Sequence, residues 1–485
     1  MRILMIPRID TVDGTCSLSR LPVGFIRETL KSHEDSFFYL VLHEDFCDDK
    51  SWLCNYGITE EHHDRVEFVP LSASDVGSPR LVSYQRRLEY TVGPALRDKV
   101  RPFDIPGRYA DVVITECFQS THYLKTIMNG QYLRAYIPPI PIICWAHWNP
   151  TSEWARLGKS GLLNKVDWMS CVTGLVGADG VVFGATAQRD QTFKDLSEWF
   201  NAKQIKRFRD DWPVVEGGVE VSKIKYIESP DRPLTGVWTG YTTQDFDPCA
   251  PGLVRAGMMK HLGKVVLQFM GVKIGTEKPE EVENYEALDY VDIKPVLSHE
   301  DFIGMLSDSD LIATTVPGVW SIRVAEAMAA GCIPITTKFT KDSMRLPDDY
   351  PFIVPDGAGA LDKISAFASY LSKEDILQKW RKYVHDFAVE NFDIVKQSDK
   401  VYKYAHDILD SRVKSAKAGD METQILNAID GLDTIGHIEL IEKIGPKFIK
   451  EKSESLFSHR FVKHCMFHLG FRDSGGEHPI YVRNR

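Results

Sequence analysis

Ser321, Arg323 and Glu326 fall within six positions of one another in the stretch "VPGVWSIRVAEAMAAGCIPIT", residues 316–336. The apolar run "DLIATTV" reads as a strand, Pro317-Gly318 turns the chain, and "SIRVAEAMAAG" reads as a helix closing on Gly331. A helix that starts at a strand end presents unpaired N–H groups, which form an anion site. Ser321, Ile322 and Arg323 occupy that first turn, where backbone donors and a guanidinium suit phosphate. Glu326, one turn on, is within reach of a ligand's hydroxyls; the competing reading is a solvated acid on an amphipathic helix. Ala325, Ala327, Ala329 and Ala330 let the helix pack closely.

The elements that must hold this stretch follow a regular alternation. "RILMIPRI", "LPVGFIRETLKS", "SFFYLVLHED", "ADVVITEC", "IPIICWAHW" and "ADGVVFGATAQRDQTFKDLSEWF" give apolar strands separated by helical segments in the first half. "TGVWTGY", "KVVLQFMGV", "YVDIKPVL", "SHEDFIGMLSDS", "DLIATTV" and "CIPITT" repeat the pattern in the second. Such alternation predicts βαβ units and parallel sheets. Residues 213–235 are rich in Gly and Pro and lack helical periodicity, which marks a linker. The expected domains are 1–215, 216–418 with trailing helices, and a separate segment 419–485.

With 485 residues, more than one core is expected. Nine scattered cysteines without a CxxC pair argue against a disulfide framework and a zinc knuckle, and fit a reducing cytoplasm. No stretch reaches the roughly 18 apolar residues of a membrane span, and the start lacks a signal-peptide core. The net charge of −10 disfavours nucleic acid for the chain as a whole. Residues 443–485, with nine Lys or Arg against four acids, carry +5 and leave −15 on the rest.

The run "YVDIKPVLSHEDFIGMLSDSDLIATTVPGVWSIRVAEAMAAGCIPITT" resembles the carboxy-terminal donor domain of retaining GT-B glycosyltransferases of the family-four type. In order with it, "PIICWAHWNP", "ADGVVFGATAQRDQTF", "VVEGGVE", "TGVWTGYTT" and "PFIVPDGAGALDKI" are similar to further family segments, over roughly residues 1–410. The resemblance implies an α/β GT-B fold of two facing Rossmann-like domains. It also implies a nucleotide-diphosphate sugar as co-substrate, with no obligatory cofactor and no metal. Glu326 would bind the donor ribose, and Ser321, Ile322 and Arg323 the diphosphate. Gly240, Tyr241 and Thr242 would line the donor site, and His147 would address the transferred sugar. The loop carrying Asp13 and Gly14 would face acceptor and phosphates, making Asp13 a catalytic candidate and Gly14 a donor contact.

Two positions depart from the family. Gly318 stands where an acid is usual, and Tyr241 where an Arg is usual. Diphosphate charge must then be met by other groups, for which Arg323, Arg8 and Lys294 are candidates. "DSD" at 308–310 and "DFD" at 245–247 match a metal-binding DxD by letter; the first reads as helix capping before a buried strand, while the second stays open. His62 and His63 read as a solvated face.

Beyond residue 418, "METQILNAIDGLD", "IGHIELIEKIG" and "ESLFSHRFVKHCMFHLGF" have helical periodicity, and "RDSGGEHPIYVR" reads as a hairpin. This pattern resembles a small winged-helix module, in which Lys447, Lys450, Lys452, Arg460, Lys463 and Arg472 would meet DNA phosphates. The alternative is a helical cap or dimer piece with an incidental charge. "ICWAHW", "GYTT" and "AGCIPIT" also look distantly like bacteriophage DNA-modifying glucosyltransferases of the same fold. Three functions are therefore carried forward. The first is sugar transfer to a hydroxymethylated base in DNA, in a host cytoplasm if the protein is viral. The others are transfer to a polysaccharide, lipid-linked sugar or small molecule, and an inactive nucleotide-sugar-binding module.

Overall fold

The computed structural model describes residues 1–7, 9, 17–71, 110–116, 121, 141–146, 172, 174–197, 200–228, 232–240, 249–269, 284–295, 297–314, 321–355, 359–415, 434–436, 471–473 and 480–483. Strands β1 (Arg2–Ile6), β2 (Phe37–His43), β3 (Val66–Leu71), β4 (Val112–Thr115), β5 (Ile142–Ala146) and β6 (Gly180–Phe183) form one parallel sheet in the order β3-β2-β1-β4-β5-β6. β4, β5 and β6 are buried along their whole length, as runs covered by helices on both faces must be. Helices α1 (Ser17–Ser32), α2 (Thr186–Leu196) and α3 (Ala202–Asp211) accompany this unit.

A second parallel sheet holds β7 (Thr235–Gly240), β8 (Lys264–Phe269), β9 (Val291–Lys294), β10 (Leu311–Thr314), β11 (Ile333–Thr337) and β12 (Ile353–Val354) in the order β12-β11-β10-β7-β8-β9. Counted from its own first strand, this is the same Rossmann order as the first sheet, reversing between β7 and β10. Its helices are α4 (Cys249–Met258), α5 (His299–Ser307), α6 (Ile322–Ala329), α7 (Lys338–Ser343), α8 (Gly359–Leu371) and α9 (Glu374–Asn391). The strand-helix alternation read from the sequence is thus what both units contain.

The units are joined by two chain crossings that pair with each other. Val219 N donates to Phe392 O at 2.8 Å, and Ile394 N donates to Val219 O at 3.0 Å. Gly218 is required here, because a Cβ would lie 2.4 Å from the Ile394 Cα. The helix that follows, α10 (Ile394–Ser415), packs back on the first unit although it comes after the second in sequence. Tyr402 stacks on His33 with ring centroids 3.7 Å apart. The Tyr404 hydroxyl accepts from Val181 N at 3.3 Å and donates to Asp211 O at 3.0 Å.

Near the end of the chain, β13 (Thr434–Gly436), β14 (Phe471–Asp473) and β15 (Ile480–Arg483) form an antiparallel sheet ordered β13-β15-β14. The β14-β15 pairing is the hairpin expected from "RDSGGEHPIYVR". Ile435 and Gly436 correct the helical reading of "IGHIELIEKIG": they lie in a strand. A β-branched pair followed by Gly favours extended backbone, and Gly in a helix costs about 1 kcal/mol. The remaining helices of the winged-helix reading fall outside the described residues. No described helix is long and apolar enough to cross a membrane.

Candidate functional site

Helix α6 is built as its sequence suggests. Ser321 is its N-cap, the hydroxyl accepting from Val324 N at 3.4 Å. Its end is a Schellman motif: Cys332 N donates to Ala327 O at 2.7 Å and Gly331 N to Met328 O at 2.8 Å. Gly331 adopts φ +80°, and a Cβ there would meet the Tyr226 ring at 2.6 Å. The small residues Ala325, Ala327, Ala329 and Ala330 are fully buried, which seats the helix against α9.

Glu326 lies in a cleft of about 820 Å³ between the two units. It is 4% exposed, so its charge needs partners. Oε1 accepts from His299 Nε2 at 2.8 Å and from Arg20 Nη1 at 3.2 Å. Among the described residues no hydrogen bond is made to Oε2. A carboxylate only accepts, so the His299 proton on this side sits on Nε2.

Each of the three groups stands near the start of a helix that follows a strand: Arg20 on α1, His299 on α5, Glu326 on α6. The carboxyl edges of the two sheets therefore face each other across the cleft. His299 is set by the cap of α5, where Ser298 accepts from Asp301 N at 3.1 Å and donates to the Asp301 carboxylate at 2.6 Å.

Arg323 is placed differently from the simplest expectation. Its Nη1 donates to Thr239 O at 2.7 Å and approaches Thr239 Oγ1 at 3.4 Å. Thr239 and Gly240 end β7, so this contact pins the start of α6 at the point where the strand order reverses. Open parallel sheets bind ligands at such reversal points, outside the carboxyl ends of the strands. The first turn of α6 and the end of β7 are thereby brought together.

Lys294 is not. It ends the edge strand β9, its Nζ 3.1 Å from Asp292, which Lys264 also meets at 3.0 Å. Burial opposes ionisation of Asp292, yet the two lysines hold its carboxyl below the usual range. Lys294 is not among the residues that line the cleft.

The "DSD" letters resolve into structure. Asp308 caps α5, and the buried Asp310 accepts from Arg232 at 2.6 and 3.1 Å, Arg381 at 2.7 Å and Thr235 N at 2.8 Å. Its acceptor sites are filled by protein donors. Among the described residues no group of three or more His, Cys, Asp or Glu could hold a metal ion. His62 and His63 lie on a short 3-10 helix, tied to Arg65 and to the Ile58 carbonyl. In the first sheet, burial pushes the Cys144 thiol up to about 12, which rules it out as a thiolate nucleophile near neutral pH.

Arg8, Asp13, Gly14, His147, Tyr241, Thr242 and Gly318 lie outside the described residues, as do Lys447, Lys450, Lys452, Arg460, Lys463 and the second DxD at 245–247. Arg472 lies in β14, with its side chain outside the description. Sequence reasoning missed Arg20 and His299. The "SHED" cap signalled a helix start at His299, but nothing local signalled that its ring meets Glu326.

No family model matches the chain, and no curated protein matches its sequence. Solved structures do match in three dimensions. Sucrose-phosphate synthase from Thermosynechococcus elongatus has a TM-score of 0.57 at 15% identity, over 83% of this chain and 98% of that one. HepE from Anabaena, solved with UDP and glucose, has a TM-score of 0.55 at 13% identity, over 84% and 100%. Arabidopsis thaliana UGT89C1, complexed with UDP-L-rhamnose, has a TM-score of 0.51 at 12% identity, over 84% and 98%. At such identities the likeness establishes the fold: two Rossmann-type units facing across a cleft, the GT-B arrangement.

Proposed function

We propose that this chain is a glycosyltransferase that takes a sugar from a nucleoside-diphosphate donor. The observation that carries the reading is Glu326: a buried carboxylate in the cleft, one helical turn from the start of α6, held through Oε1 with Oε2 left for a ligand hydroxyl. A ribose hydroxyl on Oε2 would bring the diphosphate to the first turn of α6, about 6 Å up the helix axis. HepE, solved with UDP-glucose, and UGT89C1, with UDP-L-rhamnose, supply the donor class carried over here.

Transfer asks the protein for two things. The departing diphosphate needs positive potential, which the α6 N-terminus provides through its helix dipole. The acceptor hydroxyl needs orientation at the carboxyl edge of the first sheet, where His147 and Asp13 are the proposed groups. Retention of anomeric configuration follows from the family-four resemblance and is read directly by NMR of the product.

The acceptor reading rests on a different feature, the +5 charge of residues 443–485. It favours DNA, with a hydroxymethylated base as the nucleophile, flipped out of the stack to reach the cleft. Lys447, Lys450, Lys452, Arg460, Lys463 and Arg472 are the proposed phosphate contacts. The test is a donor panel read by thermal shift, followed by transfer to unmodified and hydroxymethylated DNA read by mass spectrometry. Salt-sensitive DNA binding that disappears on deleting 419–485 supports the DNA acceptor; transfer to carbohydrate alone replaces it. Nucleotide binding with no sugar transferred or hydrolysed from any donor leaves the inactive module.

A further inference from the structure

We infer that two ion pairs, Glu216 with Arg345 and Glu220 with Arg27, cross the junction of the units in opposite senses and brace the angle at which the units meet. Only Gly217, Gly218 and Val219 lie between the two acids. Glu216 follows Val215, whose N–H donates to Phe183 O of β6 at 2.9 Å and whose side chain packs in the core of the first unit. Glu220 follows Val219, which packs in the core of the second. Each acid is held by an arginine of the opposite unit: Glu216 by Arg345, just past α7, and Glu220 by Arg27 of α1. The brace itself is independent of the glycosyltransferase reading; its use in sugar transfer rests on that reading.

Arg345 sits where a glycine is usual. α7 closes in a Schellman motif, Leu346 N donating to Lys341 O at 3.0 Å and Arg345 N to Asp342 O at 3.3 Å. The residue after the cap turns left-handed in this motif, and Arg345 has φ +52°. In α6 the same position is Gly331. A residue with a Cβ is disfavoured in this region and persists where its surroundings hold it. Lys260 has positive φ too, at the exposed end of α4, so the backbone alone assigns no role. The buried partner does. Glu216 Oε1 accepts from Arg345 Nη1 at 2.8 Å, the Glu216 side chain is 4% exposed, and among the described residues Arg345 is its one ion-pair partner. Of the lysines on α7, Lys341 donates to the Asp348 carbonyl at 2.7 Å, and Lys338 makes no ion pair among the described residues.

The other pair is more firmly set. Arg27 is buried and also bound to Glu28 and to the Tyr56 carbonyl, and Glu220 has Lys223 at 3.1 Å as a second partner. Beside it the crossing is closed by the hydrogen bonds of Val219 with Phe392 and Ile394. Glu216 has no such reserve. Parting the units at Arg345 leaves a buried carboxylate without compensation, which opposes the movement. Both pairs span the joint, so a change in the angle between the units disturbs them. For transfer, the donor carbon on the second unit and the acceptor oxygen on the first must come within about 3–3.5 Å of each other. The angle at the joint sets that separation, which makes Glu216 and Arg345 positioning residues.

The test uses the full chain and the variants R345A, R345K and E216Q. Far-UV circular dichroism checks the fold, and small-angle X-ray scattering reads the angle through the radius of gyration. Isothermal titration with UDP, GDP, ADP, CDP and dTDP gives the diphosphate affinity, and the glucose conjugate of the one that binds gives turnover, by transfer or hydrolysis. R345A and E216Q should keep the wild-type spectrum and have a larger radius of gyration. Their turnover should fall about 10- to 100-fold, with diphosphate affinity changed less than about 3-fold. R345K keeps the charge and the Cβ and should recover part of both changes. If R345A does not fold, E216Q, which keeps the size of the side chain, carries the comparison. Wild-type scattering from both R345A and E216Q overturns the inference, and so do equal defects in R345A and R345K, since the ion pair would then not matter. Diphosphate affinity that falls in step with turnover overturns the positioning role. Failure of wild type to bind any of the five diphosphates sinks the glycosyltransferase reading and leaves the scattering comparison to decide the brace.

Discussion

Arg20 and Glu326, 306 positions apart in the chain, meet at 3.2 Å across the cleft between the two Rossmann-type units. The contact joins the start of a helix in the first unit to a buried carboxylate in the second. Because both side chains are mostly shielded from water, the pair is expected to couple. In a double-mutant cycle of R20A and E326Q, read by urea unfolding, the coupling should be about 1–2 kcal/mol. A coupling indistinguishable from zero would mean that the two units do not hold each other at this point in solution.

Asp310 anchors the second unit rather than its chemistry. It collects Arg232, Arg381 and the Thr235 N–H, and the Arg381 side chain is fully buried. Removing one partner of such a network leaves a buried charge without compensation. D310A should therefore lose about 3–5 kcal/mol of stability, measured by denaturant midpoint. A loss under about 1 kcal/mol would contradict the structural reading of the "DSD" letters and reopen a ligand-binding one.

Tyr404 gives the packing of α10 on the first unit a pH signature. Burial pushes its phenol up to about 12, with the Val181 N–H opposing and Asp211 adding to the rise. A phenol whose folded pKa lies above the unfolded value of about 10 contributes stability fully below pH 10 and loses it as pH rises toward 12. Wild type should lose about 2–3 kcal/mol over that interval from this residue. Y404F removes the hydrogen bonds to Val181 and Asp211, costing about 1–2 kcal/mol at pH 7, and should have a flatter alkaline limb. Parallel alkaline limbs for the two proteins would show that α10 is not seated on β6 through this side chain.

The fold was legible because its signals are local. Apolar runs such as "IICWA" and "TGVWTG" are buried on every residue, as strands covered by helices on both faces are. Gly331 marked the end of α6 through the Schellman geometry that follows it. The site was legible only where one helix carries it. Glu326 and the start of α6 come from a single segment, whereas Arg20 reaches Glu326 from the other unit, and no spacing encodes that approach. His299 illustrates the intermediate case, its helix start announced by Ser298 and Asp301 while its partner lies 27 positions on. Arg323 shows a further limit: the sequence places a guanidinium near the proposed phosphate, but the Thr239 carbonyl is what it binds. Ile435 and Gly436 were misread because a helical spacing of apolar residues outweighed the preferences of the two residues themselves.

The central claim, a nucleoside-diphosphate sugar held by Glu326, is tested most directly by calorimetric titration of wild type and E326Q with UDP, GDP, ADP, CDP, dTDP and their glucose conjugates. At least one of these should bind wild type, and E326Q should bind the same ligand at least about tenfold more weakly, because an amide gives the ribose hydroxyl a poorer acceptor than a carboxylate. Absence of binding by every member of the panel, or equal affinity for wild type and E326Q, would contradict the account.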